Sequence, residues 1–243
     1  MKKILLTISI LLIAFSLVAC SQSQDSSKNN IESPTNQSSQ NLSESSENNS
    51  QKQNKVENPE GNVLIAYFTL PENTNDDADT ISSASIVKTN DEVVGSTERI
   101  AQMIQKSIGG ALFEIKTEKE YPKEHDPLLD QASKELDENA RPKLSSKVDN
   151  MEDYDIVFVG YPIWWGDMPM PVYTFLEEYD LSGKTIIPFC THGGSRLSDT
   201  DNKIANLQKD ATVINHALVI SRSDVAVTEQ EEIDNWLKSI NMK

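Results

Sequence analysis

The chain has 243 residues and a formal net charge of −16, from 38 acidic against 22 basic side chains. An acid excess of this size argues against nucleic acid as a partner and against direct adsorption to anionic lipid. Two cysteines exclude a disulfide-stapled scaffold.

Lys2 and Lys3 precede an apolar stretch, Ile4 to Val18, which is too short and poorly flanked for an ordinary membrane span. It closes on Leu17-Val18-Ala19-Cys20, which resembles the lipobox of bacterial lipoproteins. That resemblance implies that residues 1–20 act as a signal cleaved before Cys20, whose sulfur then carries a diacylglycerol. The protein would be lipid-anchored at the extracytoplasmic face of the cell membrane. The alternative is an ordinary secretory signal with a chance cysteine. Two acyl chains anchor stably, since each buried CH₂ contributes about 0.8 kcal/mol. From Ser21 to Glu60 the residues are mostly Ser, Asn, Gln and Glu without an aromatic. Such a stretch buries too little surface to offset ordering entropy, so 21–60 reads as a disordered tether. About 40 residues of random coil reach roughly 35 Å.

Residues 61–243 suffice for one domain. Val63 to Phe68 is a continuous apolar run, the sign of a strand covered on both faces. After Thr69-Leu70 comes a long insertion, and Val94-Gly95-Ser96-Thr97 then opens a helix over Ser96 to Ile108 that closes at Gly109-Gly110. A second strand covers Leu112 to Ile115 and a helix Asp126 to Glu138. The third strand, Asp155 to Gly160, is followed by a helix over Pro171 to Tyr179. The fourth strand is Thr185 to Cys190. A helix over Asp199 to Lys209, a strand near Ala217 to Ile220 and a helix over Glu229 to Ser239 complete the pattern. Alternating strands and helices predict right-handed crossovers and a parallel α/β three-layer sandwich of five strands.

Ligands of open α/β sheets sit outside the carboxyl ends of the strands, where strand order reverses. For the order 2-1-3-4-5 that point lies between strands 1 and 3, so three loops matter. After strand 1, Gly95 with Ser96 and Thr97 at a helix N-terminus can surround a phosphate with N–H and O–H donors. Ser96 as a plain helix cap is the alternative. After strand 3, Pro162-Ile163-Trp164-Trp165-Gly166 sets two tryptophans on a loop, as a stacking surface for a planar aromatic ligand or as a plug over the sheet. After strand 4, Thr191-His192-Gly193-Gly194-Ser195 offers backbone N–H groups at paired glycines. His192 either donates to the ligand or is simply solvated. There is no Walker motif and no nucleophile elbow. His125 and His216 have no matching cluster, so no metal site is indicated. Cys190, alone in the domain, reads as a small buried hydrophobe.

Tyr67-Phe68-Thr69, Gly95-Ser96-Thr97-Glu98, the run Gly160-Tyr161-Pro162-Ile163-Trp164-Trp165-Gly166 and Thr191-His192-Gly193-Gly194-Ser195 resemble the flavodoxin-like family, especially its bacterial lipoprotein-type members. The resemblance spans nearly all of residues 61–243 and implies a five-stranded sheet of order 2-1-3-4-5 with bound FMN. It implies that Thr69, Gly95, Ser96 and Thr97 hold the phosphate, and that Pro162 to Gly166 and Thr191 to Ser195 flank the ring system. One departure is the insertion of about 25 residues, Leu70 to Val94, read as a lid or a disordered acidic excursion. Within it, Asn73-Thr74-Asn75 rivals Ser96-Thr97 for the phosphate; the start of the helix favours the latter. The implied function is an FMN-binding redox protein that carries electrons to a partner protein or reduces a small acceptor. The alternative is a non-catalytic lipoprotein that binds a flavin or another planar ligand. There is no dinucleotide fingerprint to support a fixed nicotinamide site.

Overall fold

The computed structural model describes residues 62–70, 86–89, 92–122 and 125–243. The predicted leader with Cys20, the tether over 21–60, and Asn73-Thr74-Asn75 lie outside the described residues.

Five strand positions form one parallel sheet, and the order follows from the apolar runs. Strand β1 (Val63–Tyr67) lies between β4 (Ala111–Glu114) and β5 (Ile156–Pro162), and β5 pairs in turn with β6 (Thr185–His192). The far edge of β6 carries two collinear segments. Thr212–Val213 (β7) pairs with Thr185 and Ile186, and Leu218–Ser221 (β8) pairs with Phe189 to His192. Counting β7 and β8 as one position gives the expected order 2-1-3-4-5. The predicted last strand corresponds to β8, and β7 escapes sequence reading because two residues carry no period.

Both sheet faces are covered, which explains the unbroken hydrophobicity of β1 and β5. Leu64, Ala66 and Phe68 face one core, together with Val157, Val159 and Tyr161. Val63, Ile65 and Tyr67 face the other, with Ile156 and Phe158. Helices α2 (His125–Asp137), α3 (Met170–Glu178) and α4 (Thr200–Leu207) pack on the first face through Leu128, Val172, Phe175 and Ile204. Helices α1 (Ser96–Ile108) and α5 (Gln230–Ser239) pack on the second through Ile100, Ile104, Ile233 and Leu237. Full burial of each such side chain contributes about 1.5–3 kcal/mol, so a sheet sealed on both sides is a rigid platform for its loops.

Two further strands lie between β1 and α1. They form an antiparallel hairpin, β2 (Ile86–Thr89) with β3 (Glu92–Gly95), in the register Val87↔Val94. Val87 is buried in the core shared with α1 and α5. Val94 and Gly95 therefore end a strand as well as open α1. β-branched Ile86, Val87 and Val94 favour this extended pairing.

Candidate functional site

Parallel register brings the ends of β1, β5 and β6 to one edge of the sheet. Tyr67 lies opposite Gly160, and Gly160 opposite Phe189. Gly160 is obligatory there, because a Cβ would lie 2.1 Å from the Phe189 ring. Beyond this row, the Phe68 amide donates to Gly160 O at 2.8 Å and the Ile163 amide to Thr191 O at 2.8 Å. The three predicted loops thus leave the sheet side by side.

The first loop is built around hydroxyls. Thr69, Ser96 and Thr97 are all buried. Gly95 approaches Thr69 so closely that a Cβ would fall 1.9 Å from Thr69 Oγ1. The Gly95 amide donates to Glu98 Oε2 at 3.2 Å, which closes the first turn of α1. Thr97 Oγ1 and Thr191 Oγ1 are 3.0 Å apart and join this turn to the third loop. Thr69 Oγ1 and Ser96 Oγ are buried without a hydrogen-bond partner. An unsatisfied buried polar group costs about 1–3 kcal/mol, and an anion at this positive helix end would satisfy both. Burial first, then the Glu98 and Glu114 carboxylates, hold the Tyr67 phenol well above its usual pKa.

In the second loop the two tryptophans part company. Trp164 is only 5% exposed and meets Phe68 and Tyr121 edge-on, at centroid distances of 5.4 and 5.7 Å. Pro162 and Ile163 are buried beside it. Trp165 is 55% exposed, with its Nε1 donating to Leu129 O of α2 at 3.0 Å. Mutual hydrogen bonds between Trp164 and Asp167, both 2.9 Å, close a two-residue turn. Its central residues both have positive φ, 51° at Trp165 and 74° at Gly166, as a type I′ turn requires. For a bulky residue such as Trp165 this region is strained.

An anchor that sequence reasoning missed holds this turn. Asp167 is buried and accepts from the Met168 amide at 2.7 Å, Tyr173 Oη at 2.9 Å and Lys203 Nζ at 2.6 Å. The position beside Trp165-Gly166 was its only signal in the sequence; its partners lie on α3 and α4. Burial, then the hydrogen bond to Asp167, raises the Tyr173 pKa.

The third predicted loop starts later than the sequence suggests, since Thr191 and His192 still belong to β6, held by their pairing with β8. Thr191 and His192 are buried, whereas Gly193, Gly194 and Ser195 face solvent. The Gly194 amide donates to His192 Nδ1 at 2.9 Å, so the neutral ring carries its proton on Nε2. Desolvation, then the Arg196 charge, lowers the His192 pKa, with Asp224 opposing. Cys190, below this loop, has its thiol pushed up to about 12 by burial and then Asp201, as fits a packing role.

A cavity of about 490 Å³ opens beside Thr69, between Phe68–Leu70 and the segment from Glu114 to Tyr121. Its size suits a small ligand. It adjoins the first loop, while the second and third loops do not line it.

Fold and site together define a doubly wound α/β protein with a hydroxyl-lined turn at its switch point. The chain belongs to the flavodoxin family, whose model, described as "Flavodoxin", matches residues 85–240. Among solved structures it is similar to a candidate flavoprotein from Bacteroides eggerthii DSM 20697, with 28% identity and a TM-score of 0.56, covering 75% of this chain and 99% of that one. A candidate flavoprotein from Bacteroides uniformis ATCC 8492 gives 26% identity and a TM-score of 0.55, covering 73% and 98%. A flavoprotein from Lactobacillus acidophilus NCFM in complex with FMN shares the fold at 19% identity and a TM-score of 0.50, covering 72% and 98%. No curated protein matches the chain.

Proposed function

We propose that the chain binds FMN and serves as a redox protein, passing electrons to a partner protein or reducing a small acceptor outside the cytoplasm. The observation that carries this reading is the pair of buried, partnerless hydroxyls of Thr69 and Ser96 at the N-terminus of α1. Thr69, Gly95, Ser96 and Thr97 would hold the phosphate. Exposed Trp165 would offer a ring face, and the Gly193 and Ser195 amides would face the polar edge, the Gly194 amide being held by His192 Nδ1. Bound FMN supplies reversible electron uptake, and the protein sets its potential and access.

Trp164, by contrast, supports the pocket from the core with Phe68 and Tyr121. The acidic surface disfavours added negative charge on the cofactor and suits docking with a basic partner. Lipid attachment at Cys20, with the domain carried on the 21–60 tether, rests on the Leu17-Val18-Ala19-Cys20 run alone. Mass spectrometry of the N-terminal peptide tests that arm: an acyl mass on Cys20 is expected, and an unmodified or absent cysteine refutes it.

The decisive experiment for the cofactor is one preparation. The purified chain should be yellow or turn so with FMN, quench flavin fluorescence on binding, and bleach with dithionite. A colourless protein whose tryptophan emission and melting temperature ignore FMN would refute this reading and favour a different planar ligand or none.

A further inference from the structure

The hydrogen bond from the Gly194 amide to His192 Nδ1 spans two residues, like the side-chain turn that Asn and Asp make with their own backbone. It fastens the exposed glycine pair to a buried side chain at the end of β6. The His192 carbonyl is itself bound by the Arg222 amide at 2.9 Å, so the ring hangs from a fixed strand while the loop hangs from the ring. Just past the pair, Arg196, Ser198 and Asp199 all have positive φ, so this loop is held against its local preferences. Nδ1 can accept only when it carries no proton.

We propose that His192 is a positioning residue and a pH-sensitive latch: neutral, it holds Gly193–Ser195 in place through Nδ1, and protonation releases them. The consequence for cofactor affinity rests on the FMN reading above; the latch itself does not. The charged groups facing the ring are Arg196 on its own loop, which favours the neutral form, and Asp224 on the turn after β8, which opposes it. Desolvation of the ring adds to the first effect. The latch therefore stays closed at neutral pH and opens in acid, below the ordinary imidazole value of about 6.5.

The chain contains nine glycines and only two Gly-Gly pairs, Gly109-Gly110 and Gly193-Gly194. Full-length protein labelled with glycine carrying both carbonyl-¹³C and ¹⁵N therefore yields two carbonyl-filtered amide signals, Gly110 and Gly194. The Gly194 signal should shift sigmoidally between pH 8 and 4.5 with a midpoint below about 6.5, while Gly110 stays still. In His192→Asn the amide oxygen replaces Nδ1 as acceptor, and the Gly194 signal should not titrate. In His192→Gln the carbonyl sits too far out, and the signal should be displaced at every pH. A Gly194 signal that ignores pH in the wild type, or titrates equally in His192→Asn, overturns the latch.

In a parallel fluorescence titration, wild-type affinity for FMN should fall about three- to tenfold from pH 7 to pH 5, the loss of one loop hydrogen bond. His192→Asn should show a smaller fall, only that due to the FMN phosphate titrating near pH 6, and an equal fall in that variant also overturns the latch. If FMN binds at no pH the cofactor reading fails, and the Gly194 titration still decides the latch.

Discussion

At Gly95 one hydrogen atom decides whether the first loop can exist. A methyl group there would overlap Thr69 Oγ1 at 1.9 Å, and Thr69 has no free direction because it is buried. Gly95→Ala should destabilise the fold by about 1–3 kcal/mol through overpacking and weaken FMN binding by more than tenfold, measured by fluorescence titration. An alanine variant with unchanged affinity would remove this loop from the phosphate role. The two tryptophans give a paired test. Trp164→Ala should cost about 3–5 kcal/mol of stability, as for any large aromatic cut from a core. Trp165→Gly relieves a positive φ and loses one exposed ring, so its melting temperature should barely change. Its FMN affinity should fall about two- to tenfold, the range of an aromatic stacking contact. Equal stability losses in both variants would refute the division of labour. For His192 the sign of the pH effect follows from a folded-state pKa below the unfolded one. Between the two values the unfolded chain binds more protons, so stability is complete above about 6.5 and declines as pH falls through the folded value. Thermal melts at pH 7 and pH 5 should show a larger loss for the wild type than for His192→Asn.

Among the elements, the β2–β3 hairpin turns part of an unusual insertion into a wall of the domain. Its attachment rests on Val87, which enters the core of α1 and α5, and on β3 running directly into α1 at Gly95. Val87→Asp removes an apolar anchor worth about 1.5–3 kcal/mol and puts a charge in its place. Amide exchange over 86–95 should accelerate strongly while β1, β5 and β6 remain protected; a uniform loss of protection would show the hairpin to be integral to the whole fold. The fifth sheet position illustrates a different compromise. β7 and β8 share one edge of β6, with residues 214–217 between them. Short interrupted edge strands resist pairing with other chains.

The whole molecule carries 38 acidic against 22 basic side chains. Such a field makes each added electron on a bound flavin less favourable, and salt screens it over a Debye length of about 10 Å at 0.1 M. The midpoint potential of bound FMN should therefore rise as NaCl is raised from low to high concentration, measured by dithionite titration against reference dyes. A potential that is flat or falls with salt would show that surface charge does not set it.

The alternation of apolar runs with helical periods determined the doubly wound fold, because burial on both sheet faces leaves a signature in composition that needs no partner to be known. Ser96 to Ile108 was legible to the residue, since a hydroxyl and an acid open it and two glycines close it. The three loops were legible as candidates because strand ends and glycines mark them. What each side chain does there was decided by tertiary contacts. Only the packing of Phe68 and Tyr121 sends Trp164 inward and leaves Trp165 outside. Asp167 became an anchor only when α3 and α4 brought Tyr173 and Lys203 to it. The hairpin too depends on a distant core, since four-residue strands hold together only where another surface covers them. Local sequence records how a segment would bury itself, whereas the identity of its neighbours is a property of the closed sheet.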